Sequence, residues 1–102
     1  MDKRTPTTRT IEWLEGRGYA ADVVERRVTR AVSKDYLGIA DVIGVKPGET
    51  VAVQATSASH VAARISKVRE SVYLDAMRAA GWRVLVVGWR RDKDEPRVEE
   101  VA

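Results

Sequence analysis

Cysteine is absent from the 102-residue chain, and histidine occurs once, as His60. The first absence excludes disulfides and thiolate zinc sites and fits a reducing cytoplasm. The second excludes two-histidine metal centres and any catalysis that needs a histidine pair. Long apolar runs are missing too. Nothing approaches the roughly 20 residues of a membrane span, and the polar start Met1-Asp-Lys-Arg-Thr-Pro6 lacks a signal peptide's apolar stretch. A cytoplasmic protein with no membrane partner is expected, folded as one domain over residues 1–102 around a modest core. Net charge is small, +3, yet thirteen of the 18 basic residues are Arg. The planar guanidinium suits phosphate, although such a composition equally describes an ordinary mixed-charge surface.

The pattern along the chain predicts an α/β protein. Pro6-Thr-Thr opens a short helix with Ile11, Trp13 and Leu14 on its apolar side, closed by Gly16 or Gly18. Tyr19–Val28 reads as a strand, Thr29–Lys34 as a basic connection, and Leu37–Val45 as a central strand apolar on both faces. Lys46-Pro-Gly-Glu49 is a turn signal that makes Thr50–Thr56 the antiparallel partner of that strand. Val61, Ile65, Val68, Val72, Ala76 and Ala79 form one helical stripe, predicting an unbroken helix over about 60–80. Arg83–Trp89 reads as a buried strand and Arg97–Val101 as a short edge strand. The helix is long enough to be a crossover between parallel strands, which gives a sheet of mixed direction.

One residue departs from this pattern. Asp41 lies among Leu37, Ile39, Ile43 and Val45 on a single strand face. An acid so placed costs several kcal/mol unless it is paired, hydrated or bound to a cation. The hairpin brings it toward Gln54 and Thr56, which share the strand face opposite to Val51, Val53 and Ala55. A carboxylate, an amide oxygen and a backbone carbonyl are hard ligands of the sort Mg²⁺ accepts.

Asp41, a hairpin, then the triplet Gln54-Ala55-Thr56 and a helix resembles the motif of the PD-(D/E)XK nuclease superfamily. Lys34-Asp-Tyr-Leu-Gly-Ile-Ala-Asp-Val-Ile-Gly with Val51-Ala-Val-Gln-Ala-Thr-Ser-Ala-Ser is similar to small phage and prophage members described as resolvase-like. The resemblance covers residues 8–90 and implies a restriction-endonuclease-like αβββαβ core. It implies Mg²⁺- or Mn²⁺-dependent hydrolysis of DNA phosphodiesters, on branched or phage DNA. Asp41 takes the metal-binding acid. Gln54 stands where the motif has Asp or Glu, Ala55 is the variable position, and Thr56 replaces the usual Lys. Glu25 matches an upstream acid that some members add, so the implied metal ligands are Asp41, Gln54, Ala55 and Glu25. Some members carry the lysine on the following helix, where Lys67, and less obviously Arg64, stand here. Arg26, Arg27, Arg30 and Lys34, with Ser57 and Ser59 at the helix start, would then hold the phosphate backbone.

Each position also has a plainer use. Glu25 can pair with Arg26 or Arg27, Asp35 can be the polar start of a strand, and Ser57, Ser59 and His60 can be caps. Two other functions compete with the nuclease. One is a nuclease fold that has lost catalysis and binds nucleic acid or a host protein. The other is an assembly protein that dimerises through an apolar edge at Trp89.

Overall fold

The computed structural model describes residues 2–102. Helix α1 (Pro6–Gly16) starts at Thr5, whose side chain accepts from the Thr8 N–H at 3.1 Å. Pro6 fills the first turn, where a missing N–H costs nothing. The chain then runs through β1 (Ala20–Val23), β2 (Arg26–Arg27), β3 (Ser33–Lys34), β4 (Val42–Lys46) and β5 (Glu49–Ser57). A single 3₁₀ turn, Ala58–His60, leads into α2 (Val61–Arg69) and α3 (Leu74–Ala79), then β6 (Arg83–Trp89) and β7 (Arg97–Glu100).

Strands β1-β4-β5-β6-β7 form one five-stranded sheet in that order, and β2 pairs with β3 as a separate hairpin. The turn between β4 and β5 is as tight as its residues require: Lys46 pairs with Glu49, and Gly48 takes a φ of +78°. From β5 the chain crosses over through α2 and α3 to β6, which lies parallel to β5 from Val51↔Arg83 to Ser57↔Trp89. The other neighbours are antiparallel, so the sheet is mixed.

Alternation along β5 divides the interior into two layers. Val51 and Val53 join Leu14, Tyr19, Val42, Leu85, Val87 and Trp89 on the α1 side. Ala52 joins Val61, Val68, Leu74, Met77, Val84 and Val86 on the α2–α3 side. Each such side chain taken from water contributes roughly 1.5–3 kcal/mol before entropy. Gly88 lets the start of α2 press onto β6, since a Cβ there would lie 2.3 Å from Val61 Cγ2 and 2.9 Å from the Ala58 Cα.

Four expectations change. The helix over 60–80 breaks: α2 ends at Arg69, α3 begins at Leu74, and Val72 is 85% exposed. Ser71 causes the break, because its hydroxyl accepts from the Tyr73 N–H and donates to the Leu37 carbonyl. Breaking also shifts the helical phase, so Leu74 and Met77 are buried in place of Val72 and Ala76. The strand over 19–28 ends at Val23, and the basic connection folds back as the β2–β3 hairpin around Thr29, whose hydroxyl accepts from the N–H groups of Ala31 and Val32. The strand over 37–45 starts only at Val42, because Leu37 and Gly38 take φ of 54° and 71° and reverse the chain. Trp89 is no exposed edge. It is 7% exposed under α1, its indole N–H donating to the Thr10 hydroxyl at 2.9 Å.

Candidate metal centre

The reversal at Leu37–Gly38 builds the site. Tyr36 and Ala40 form a bridge, with the Tyr36 N–H donating to the Ala40 carbonyl at 2.7 Å. Asp35 is thereby carried back beside Asp41. Asp41 sits one residue before β4 and only 5% exposed. Its N–H donates to the Val53 carbonyl at 3.0 Å, and its carbonyl accepts from the Val24 N–H at 2.9 Å. This second bond holds the chain leaving β1, and with it Glu25, against the same spot.

Carboxylate oxygens of Glu25, Asp35 and Asp41 all lie within 4.8 Å of one another. They face a cleft of about 690 Å³ whose walls include Lys34, Thr56, Ser57, Arg64 and Lys67. Asp41 Oδ1 accepts from the Ala55 N–H at 3.0 Å. Burial pushes the Asp41 carboxyl up from 3.8 to about 7. The Ala55 N–H opposes that shift, while the charges of Asp35 and Glu25 reinforce it.

The cationic wall is wired to the acids through Gln54, which is 1% exposed. Its amide nitrogen donates to Asp35 Oδ2 at 3.0 Å and to the Ile39 carbonyl at 2.6 Å, and its oxygen accepts from Arg64 at 2.7 Å. Two acceptors on one side and a guanidinium on the other leave a single sensible orientation of the amide. Lys67 Nζ completes the network at 3.1 Å from Asp35 Oδ2.

The structure thus brings together Asp41, Glu25, Thr56, Lys34, Ser57, Arg64 and Lys67 around the cleft and puts the Ala55 backbone on its wall. Gln54 stands between the acids and the cations, its amide nitrogen donating to Asp35 and its oxygen accepting from Arg64, and so braces both groups. Asp35, which also reads as the polar start of a strand, joins Glu25 and Asp41 in the carboxylate cluster. Gly38 inside Asp35-Tyr-Leu-Gly-Ile-Ala-Asp41 hints at a turn, but nothing in the segment marks the positive φ at Leu37 that pairs its two end acids. Arg26 and Arg27 lie exposed on the β2–β3 hairpin, Arg30 lies at its turn, and Ser59 lies on an adjoining depression. His60 is a structural partner, its Nδ1 2.6 Å from Ser57 Oγ.

An oxygen-only set with two or three acids crowded together fits a hard divalent cation such as Mg²⁺ or Mn²⁺. Among the described residues no helix is long and apolar enough to cross a membrane. No family model, no curated protein and no solved structure matches the chain.

Proposed function

We propose that this protein is a metal-dependent nuclease of the PD-(D/E)XK type, with a restriction-endonuclease-like core, that hydrolyses phosphodiester bonds in DNA. One observation carries the reading: three carboxylates within 4.8 Å of one another in a cleft that Arg64 and Lys67 also line. The cation would be held by Glu25, Asp35 and Asp41, and would supply Lewis-acid polarisation of a phosphoryl oxygen together with an acidified water. The protein's own groups do the rest. Lys67, on the helix after β5, offers the ammonium that Thr56 lacks, and it is near enough to Asp35 to meet a phosphate bound beside the acids. Arg64, oriented by Gln54, adds a second positive charge against the developing phosphorane. Arg26, Arg27, Arg30 and Lys34 hold the backbone without reading sequence.

A second reading keeps the fold and gives up the chemistry. Both ends of Gln54 are engaged within the protein, and Lys67 already pairs with Asp35. On that reading the site is a closed ion-pair network, and the protein only binds nucleic acid. Calorimetric titration of Mg²⁺ or Mn²⁺ into the parent protein and into Asp41→Asn, alongside cleavage of linear, nicked and branched DNA, separates the two. Metal binding and cleavage that both disappear in Asp41→Asn support the nuclease. Salt-sensitive DNA binding that is indifferent to metal and to Asp41 supports the binding protein.

A further inference from the structure

Leu37, Val72 and Tyr73 are large apolar side chains left facing water, Val72 at 85% exposure and Tyr73 at 48%. All three line one depression of about 550 Å³ beside the acidic cleft. Lys34, Asp35, Gly38 and Lys67 belong to both, so the two spaces share a wall.

The backbone holds this patch in place against its own preferences. Leu37 takes a φ of +54°, a left-handed conformation unfavourable for any residue with a Cβ. The Ser71 hydroxyl donates to the Leu37 carbonyl at 3.0 Å and accepts from the Tyr73 N–H at 3.2 Å. One hydroxyl therefore ties the two segments together, and the helix break it causes leaves Val72 outside the core. Tyr36 differs from Tyr73: it stacks on Trp82 with ring centroids 6.3 Å apart, whereas Tyr73 has no ring partner among the described residues.

Charge decides what such a surface fits. Lys34 and Lys67 on its wall are matched by Asp35 and Glu70, so the depression does not call for a phosphate. An uncharged planar ring suits it better, with its face on Tyr73 and its polar edge toward the mixed charges. A phosphate attached to that ring would lie across the shared wall, toward the acids.

We infer that an unpaired base of a DNA single strand stacks on Tyr73, against Leu37 and Val72, while its phosphate lies in the acidic cleft. The inference rests on the nuclease reading for the placement of the phosphate and adds the substrate class to it. A base within a duplex is stacked on its neighbours and has no free face to offer, so the strand is single where it is cut. Every base has such a face, so the site is indifferent to sequence.

The test measures affinity for a fluorescein-labelled single strand and for the blunt duplex of the same sequence, with Ca²⁺ and again with EDTA. The proteins are the full chain, Tyr73→Ser, Tyr73→Phe and Val72→Ser, each also examined by thermal melting and light scattering. The parent should bind the single strand more tightly than the duplex. Tyr73→Ser should weaken the single strand roughly ten-fold and the duplex by less than about two-fold, while Tyr73→Phe stays near the parent. Val72→Ser, at a position too exposed to disturb the core, should lower single-strand affinity by a smaller factor, and it carries the test if Tyr73→Ser does not fold. Equal losses for strand and duplex, or no loss for either, overturn the base site and leave the nuclease reading untouched. A parent that favours the duplex, or binds no DNA, overturns it as well. So does a parent dimer that Tyr73→Ser or Val72→Ser turns into monomers, because a second copy then covers the patch. Absence of metal binding and of cleavage, with the single-strand effect of Tyr73→Ser intact, would instead sink the nuclease reading alone.

Discussion

Two faces of β5 are built from opposite logic. Toward α1, Val51 and Val53 meet Leu14, Leu85 and Val87 in an apolar layer with Trp89 at its edge. Toward α2 the strand begins in the same way with Ala52, but then buried Gln54 bonds to Asp35 and Arg64, and Thr56 lines the cleft of acids and cations. The first face stabilises the fold by burial. The second gives up part of that stability, because burial above all, and the charges of Asp35 and Glu25 after it, raise the Asp41 pKa. If the division is real, substitutions on the two faces should trade places in their effects: activity without stability on one, stability without activity on the other.

Asp41→Asn should show the largest effect. The amide keeps the shape and can still accept from the Ala55 N–H, but it removes the central charge of the triad. Cleavage with Mg²⁺ or Mn²⁺ should fall on the order of 10³-fold or more. The metal-free melting temperature should hold or rise at neutral pH, because a crowded charge has been removed. Cleavage within a few-fold of the parent would break the comparison at its functional end.

Leu14→Ala is the counterpart on the other face. Leu14 is 1% exposed between α1 and the sheet, and truncation should cost roughly 2–5 kcal/mol of unfolding free energy. Denaturant unfolding measures this, and metal affinity below the transition should match the parent. A loss of metal affinity in the folded variant would mean that the two faces are not independent.

How far each face was legible in the sequence follows the same division. The apolar layers could be read from alternation in β5 and β6 and from Leu14 in α1, because burial leaves a periodic trace. The tight β4–β5 turn could be read from Pro47-Gly48. The acidic face was half legible. Asp41 stood out as a charge in an apolar run, but Asp35 is placed by a reversal at Leu37, where a non-glycine residue takes a positive φ that no local preference announces. Ser71 breaks the helix by bonding to that same reversal at the Leu37 carbonyl, and a contact across 34 residues has no periodic signature.

A smaller effect concerns pH. The folded Asp41 carboxyl is raised to about 7 from 3.8, so between these values the folded protein holds a proton that the unfolded chain releases. Stability of the metal-free protein is therefore highest at low pH within this window and is lost as pH rises through about 7, by on the order of 2–4 kcal/mol. Urea unfolding in EDTA from about pH 5 to about pH 8 should show this decline, the difference from Asp41→Asn isolating the one carboxyl. Divalent metal should restore stability at the alkaline end. A stability that climbs relative to Asp41→Asn over the same range would show that the acids are already compensated by Lys67 and Arg64.

The smallest effect on stability is the most discriminating for function. Lys67 is 50% exposed and its partner Asp35 12%, with 3.1 Å between them. Replacing it in Lys67→Met should change unfolding free energy by less than about 1 kcal/mol, as for other half-exposed pairs. The ammonium, however, competes with any cation for Asp35 and also supplies the charge proposed to steady the transition state. Metal affinity should therefore rise several-fold while turnover at saturating metal falls roughly 10²-fold. A lysine that only decorates the surface would move neither quantity, and one that merely positions Asp35 for the metal would lower affinity. Opposite movement of the two is expected only if the same ammonium guards the acidic face at rest and serves the phosphate during reaction.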